Sequence, residues 1–126
     1  MQLLVKSLSF FLFLILLLSC SKQTDFTYKV FKNGAQEINL QLPDYRNYLI
    51  YDETVPVLIE WKNIDRSKSA VTGSGIKLVG SKDETMITTF TPQKQYIKTD
   101  SLSVFFRFEI DGEIHNASIK IPLKDF

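Results

Sequence analysis

The chain has 126 residues and is nearly neutral, with 15 lysines and arginines against 14 aspartates and glutamates. This balance excludes the basic surplus of nucleic-acid-binding domains, so we expect no nucleic-acid partner. Cys20 is the single cysteine, and an internal disulfide bond is therefore excluded. With one histidine besides it, the chain lacks the ligands of an ordinary zinc site, and we expect no metal and no cofactor.

The first element in chain order is an apolar run over residues 7–18, preceded by the positive charge of Lys6. As a helix, this run would extend about 18 Å at about 1.5 Å per residue. The hydrocarbon core of a bilayer is about 30 Å thick, which makes the run too short for a comfortable span. Its length and basic flank are typical of the apolar region of a secretory signal peptide.

The residues Leu17-Leu18-Ser19-Cys20 end this run. They resemble the lipobox of bacterial lipoproteins, which has an apolar residue at the third position before a cysteine and a small residue directly before it. The resemblance covers residues 1–20. It implies that residues 1–19 are a signal peptide that is removed, that the sulfur of Cys20 receives a diacylglycerol, and that the new amino group is acylated.

This resemblance predicts where the protein resides. Two or three acyl chains, at about 0.8 kcal/mol per buried methylene, anchor a protein permanently, so the membrane is a partner through the lipid on Cys20. Ser21 resembles the sorting signal for the outer membrane in enteric bacteria. We therefore expect an outer-membrane location, on either the periplasmic or the surface face. The alternative is an uncleaved signal anchor in which Cys20 is a free thiol.

Residues 20–25 then form the lipidated cysteine and a short polar tether, and residues 26–126 form a single domain. Apolar and polar side chains alternate along this domain, as in β-strands. For the first hairpin we predict a three-residue loop that pairs Phe26 with Leu40 and Tyr28 with Ile38. This loop requires Gly34 in the left-handed region of backbone conformation.

The middle of the domain carries further strand patterns. Gly73 and Gly75 weaken one of them and predict a bulge or an edge there. In the third strand, Val57, Ile59 and Trp61 fall on the inner face. The further strands are predicted over residues 55–61, 70–80, 85–91 and, as a short edge segment, 93–98.

The last hairpin has the strongest turn signal in the chain, Asp111-Gly112. A two-residue turn there places the apolar side chains of both strands on one face. The predicted pairs are Phe108 with His115, Phe106 with Ala117, Val104 with Ile119, and Leu102 with Ile121.

Seven or eight short strands in about 100 residues predict an all-β fold. We expect a small antiparallel β-sandwich of immunoglobulin-like architecture, with a small closed β-barrel as the alternative. Trp61 loosely resembles the core tryptophan of immunoglobulin domains. Because the paired cysteines of antibody domains are absent, the resemblance is one of architecture alone.

Tyr45, Arg46, Tyr48 and Tyr51 form the candidate binding surface. Tyrosine and arginine are enriched at binding hot spots, and loops at the ends of sandwiches commonly carry recognition. The alternative is that two of these tyrosines pack over the edge of the core.

We find no convincing catalytic residues. His115 falls on the inner face, and neighbouring carboxylates on a strand point to opposite sides. The sequence therefore favours a non-enzymatic binding or accessory module of the bacterial cell envelope, whose partner is an envelope protein or a polysaccharide. The alternative is a small hydrolase or inhibitor acting on glycans or the cell wall, with Asp52 and Glu53 beside the tyrosines.

Overall fold

The computed structural model of the protein describes residues 25–125, and this part of the chain folds as an all-β domain. The predicted signal peptide, Cys20 and residues 21–24 of the tether lie outside the described residues. Two single-turn 3-10 helices, at Pro43–Tyr45 and Arg66–Lys68, interrupt the strands. The strands within the described part are β1 (Phe26–Asn33), β2 (Gln36–Leu42), β3 (Leu49–Ile50), β4 (Val55–Lys62), β5 (Ala70–Thr72), β6 (Ile76–Lys82), β7 (Thr85–Phe90), β8 (Ser101–Ile110) and β9 (Glu113–Lys124).

These strands form two sheets, which confirms the predicted β-sandwich. One sheet has the order β1-β2-β4-β7-β6 and the other the order β3-β9-β8-β5, and only the β3–β9 pairing is parallel within residues 25–125. Over the same residues, no strand pairing joins the two sheets, as a closed barrel would require. The likeness to immunoglobulin domains is one of architecture, since this strand order is not that of their ABED and CFG sheets. No helix of the described part has the length and apolarity needed to cross a membrane.

The apolar inner faces of the two sheets meet in one core. As predicted, Val57, Ile59 and Trp61 are fully buried. The indole ring of Trp61 packs edge-on against Phe106 of the other sheet, with 6.1 Å between ring centroids. Each large apolar side chain buried in this way stabilises the fold by about 1.5–3 kcal/mol, an effect that must replace the missing disulfide bond.

The hairpin β8–β9 has the predicted register. Phe108 pairs with His115 and Leu102 with Ile121, and the pairs between them follow in step. Phe108 and Leu102 are buried, whereas Arg107 on the opposite face is exposed. The Asp111-Gly112 turn and the two-residue period therefore specify this hairpin locally.

The predicted register of the first hairpin is wrong. Asn33 pairs with Gln36, which leaves a two-residue loop, and Tyr28 pairs with Leu40. Gly34 does have a positive φ of 62°, at the first central position, where a type II′ turn requires it.

A bulge between Lys29 and Phe31 accounts for the difference in register. It adds one residue to β1, so that the neighbouring apolar side chains of Val30 and Phe31 both pack against the core. The ring of Phe31 lies against Phe108, with 4.8 Å between centroids. Strict alternation along β1 could not bury two consecutive residues, and a simple count of residues from the turn therefore fails.

Residues 70–80 are two strands rather than one, because the chain changes sheets at residues 73–75. β5 pairs with β8 in one sheet, and β6 pairs with β7 in the other. Gly75 forms the corner with a φ of +80°, and a Cβ atom there would lie 1.9 Å from the carbonyl oxygen of Thr91. The predicted irregularity at the glycines is thus a corner of the sandwich.

The short edge strand predicted over residues 93–98 is also wrong. This segment is a turn in which the backbone N–H groups of Tyr96 and Ile97 both donate to the carbonyl oxygen of Gln93. Pro92 is buried and cannot donate a hydrogen bond, so the β7 ladder ends before it.

Replacing Gly75 with alanine should lower the free energy of unfolding by about 3 kcal/mol, because the Cβ atom meets a backbone oxygen and the positive φ is strained for alanine. Gly80→Ala is the matched control, since no atom lies within 4 Å of its Cβ position, and it should change stability by no more than about 0.5 kcal/mol. Urea unfolding followed by tryptophan fluorescence measures both. Equal stabilities of the two variants would contradict the assigned corner.

Candidate functional site

The four residues of the predicted binding surface lie at one end of the sandwich. At this end β1, β4 and β8 begin, and β2, β7 and β9 end. We call it the N-terminal end, because the described chain enters the domain here at Phe26. Two connections cover it, residues 43–54 and residues 91–100.

Hydrogen bonds fasten these two connections to each other. The N–H of Asp52 donates to the carbonyl oxygen of Pro92 at 2.7 Å. In return, the Asp52 carboxylate accepts a bond from the N–H of Lys94 at 3.2 Å. The Tyr51 hydroxyl donates to the carbonyl oxygen of Thr99 at 2.7 Å. The two connections therefore form a single hydrogen-bonded unit.

Residues 43–54 are also fastened to the strands below them. Leu49 is buried and pairs with Leu123 of β9, and the Tyr51 N–H donates to the carbonyl oxygen of Lys124. The hydroxyl of Tyr28 donates to the carbonyl oxygen of Asn47. Burial of the Tyr28 side chain raises the pKa of its hydroxyl.

Arg46 and Tyr48 take part in an ion pair and in cation–π contacts. A guanidinium nitrogen of Arg46 lies 2.7 Å from Oε1 of Glu53, and the Arg46 side chain is 19% exposed. This hydrogen bond raises the pKa of Arg46. The ring of Tyr48 contacts two cations, the Arg46 guanidinium at 5.7 Å from the ring centroid and the Lys124 ammonium at 4.0 Å. Arg46 and Tyr48 therefore stabilise residues 43–54, Arg46 through its ion pair with Glu53 and both side chains through cation–π contact.

Tyr45 has a different environment. It is 67% exposed, and its ring meets that of Phe26 edge-on with 6.2 Å between centroids. The positive φ angles of Asp44 and Tyr45, 59° and 52°, break any regular period and turn the tyrosines in different directions. The surface that the spacing predicted is therefore divided: Tyr48 and Tyr51 are half-buried, and Tyr45 alone of the three projects into solvent.

Asp52 and Glu53, the two carboxylates of the alternative hydrolase or inhibitor hypothesis, are both engaged in contacts. Asp52 accepts the bond from Lys94, and Glu53 is paired with Arg46. His115 is half-buried, and its ring stacks on that of Phe108 at 5.7 Å with an interplanar angle of 17°. Within residues 25–125, no group of three histidine, cysteine, aspartate or glutamate side chains is arranged to hold a metal ion.

A cleft at the same end was not predicted. It lies between the start of β8 and residues 96–99, and two exposed aromatic side chains, Tyr96 and Phe105, line it. The sequence did carry a signal for Phe105, because this residue falls at an outward position between the buried Val104 and Phe106. This pattern predicts the exposure of the ring but not the cleft, because single exposed apolar side chains are common on protein surfaces.

Comparison with known proteins adds no relative: no protein-family model, no curated protein and no solved structure matches the chain.

Replacing Arg46 with alanine should lower the free energy of unfolding by about 1–2 kcal/mol, because the half-buried carboxylate of Glu53 loses its partner and Tyr48 loses one stacking cation. Lys68→Ala is the matched control. Its ion pair with Glu109 spans 3.8 Å, the Lys68 side chain is 58% exposed, and its loss should cost no more than about 0.5 kcal/mol.

Urea unfolding of Arg46→Ala, of Glu53→Gln and of the double variant gives the coupling energy of the pair, with Lys68→Ala measured beside them as the control. A coupling near zero between Arg46 and Glu53 would contradict the role of this pair in holding residues 43–54.

Proposed function

We propose that the protein is a lipid-anchored module of the bacterial cell envelope that binds an envelope protein or polysaccharide without transforming it. The proposed anchor is supported by the sequence Leu17-Leu18-Ser19-Cys20 at the end of the apolar run. The lipid on Cys20 attaches the domain to a membrane, and Ser21 favours the outer membrane of a Gram-negative bacterium.

The position of the first strand supports a short attachment. β1 begins at Phe26, so only residues 21–25 separate Cys20 from the folded domain. Five extended residues reach about 17 Å at about 3.4 Å per residue. The N-terminal end of the sandwich, with the cleft and Tyr45, therefore stays close to the membrane surface.

The charges of this end favour binding over catalysis. Catalytic carboxylates and bases are groups with perturbed pKa values that point into a cleft. Here Glu53 pairs with Arg46, and Lys94 pairs with Asp125 at 2.6 Å, an interaction that raises the pKa of Lys94. No observation on the described residues favours the hydrolase hypothesis over binding.

The anchor is tested by the intact mass of the protein extracted from its native membranes. We expect the mass of residues 20–126 plus a diacylglyceryl group and one further acyl chain. Cys20→Ser should retain residues 1–19 and carry no lipid. Ser19→Ala is the matched control, because it keeps a small residue before the cysteine and should be processed normally. An unmodified full-length wild type would contradict the lipoprotein assignment.

The binding role is tested by crosslinking the full-length protein in those membranes and identifying what co-purifies. We expect one abundant envelope protein or polysaccharide, and its yield should fall in Cys20→Ser, because this variant lacks the lipid that places the domain at its membrane. Turnover of an envelope substrate that is abolished by Glu53→Gln would contradict a purely binding role.

A further inference from the structure

We propose that the cleft between β8 and residues 96–99 binds a polysaccharide of pyranose sugars. The inference specifies the class of ligand for the binding role proposed above, and its biological meaning rests on that role. The cleft itself is defined by residues of the described domain and does not depend on the lipid anchor.

The cleft has a volume of about 280 Å³, just below the range of about 300–1,000 Å³ for small-molecule sites. That is room for one or two sugar rings, with the rest of a chain left in solvent. Gly73 and Ser74 bound it on the side of β5, and residues 96–99 bound the other side.

Two aromatic rings give the cleft its apolar surface. Tyr96 is 69% exposed and Phe105 is 53% exposed. Both side chains line the same cleft, and exposed apolar area that is concentrated in one place indicates a binding site. The face of an aromatic ring is electron-rich and attracts the weakly positive C–H groups that line the flat sides of a pyranose ring.

Polar groups surround the rings. Ser74, Ser101 and Ser103 supply hydroxyl groups, and Lys98 supplies the single charged side chain among the residues that line the cleft. Hydroxyl groups donate and accept hydrogen bonds, as sugar hydroxyls do. Lys98 can donate to a sugar hydroxyl or to the carboxylate of an acidic sugar, and no carboxylate lines the cleft to repel one. Aromatic faces with hydroxyl groups and one ammonium match the chemistry of neutral and acidic pyranose sugars.

The cleft is held in shape before any ligand arrives. The backbone N–H groups of Tyr96 and Ile97 share the carbonyl oxygen of Gln93, and Ile97 packs against the core. The Tyr51 hydroxyl holds the carbonyl oxygen of Thr99 at 2.7 Å. A site ordered in this way loses little conformational entropy on binding. Tyr51, predicted as a binding residue, is on this account a positioning residue for the cleft.

The test is a titration of the isotope-labelled full-length protein in dodecylphosphocholine micelles, which contain no sugar, with cellotetraose and with tetragalacturonate. Two-dimensional amide NMR spectra report both the affinity and the residues affected. We expect at least one of the two probes to shift the resonances of residues 96–99 and 101–105, and Phe105→Ala to weaken that binding at least tenfold. Ile114→Ala is the matched control, because Ile114 is 58% exposed on the neighbouring strand and lies outside the cleft; its binding should equal that of the wild type.

Two further variants separate the contribution of the Lys98 charge to binding from that of the Tyr51 hydrogen bond. Lys98→Gln should weaken tetragalacturonate binding and leave cellotetraose binding unchanged. Tyr51→Phe removes the bond to Thr99, and it should weaken binding of either probe while the shifts stay at the same residues. Failure of both probes to bind, shifts away from the cleft, or equal losses in Phe105→Ala and Ile114→Ala would each overturn the proposal. Since the probes are added directly, none of these results depends on lipidation of Cys20, which the mass measurement tests separately.

Discussion

The contact between the two apolar inner faces is the interaction on which the rest of the structure depends. One cysteine excludes an internal disulfide, so the packing of rings such as Trp61 against Phe106 must hold the sheets together. This packing places β8 and β9 opposite β2 and β4 and brings the ends of these strands together. The two connections at the N-terminal end lie on that platform. The hydrogen bonds of Tyr51 and Asp52 hold these connections in one arrangement, because the core packing fixes the strands beneath them.

The charged and aromatic groups at this end divide into two sets with different roles. Arg46, Glu53 and Tyr48 contact one another and stabilise the connection that carries them. Tyr96 and Phe105 are open to solvent beside a cleft, and they supply surface that folding does not use. The second set is the better candidate for recognition, because exposed apolar area remains free to stabilise a complex.

Much of the fold could be predicted where a local signal and the side-chain period agree. The register of β8 and β9 follows from the Asp111-Gly112 turn and is correct at every predicted pair. The predictions for the first hairpin and for residues 70–80 were wrong because non-local packing determines both segments. A bulge in the first hairpin packs Phe31 against the core, and a corner at Gly75 takes the chain to the other sheet. The candidate surface was located at the correct connection, yet positive φ angles at Asp44 and Tyr45 separated its tyrosines. Tertiary contacts alone determine the cleft, since residues 73–74, 96–99 and 101–105 are distant in sequence.

The central claim is that a short lipid tether holds the N-terminal end of the sandwich close to the membrane. Because the proposed lipidation would consume the thiol of Cys20, the single cysteine, a cysteine introduced elsewhere can carry a fluorescent label by itself. The most direct measurement compares Gln95→Cys at this end with Glu113→Cys at the opposite end, both exposed, in vesicles containing quencher-labelled lipids. The account predicts strong quenching at position 95 and weak quenching at position 113. Equal quenching, or stronger quenching at position 113, would contradict it.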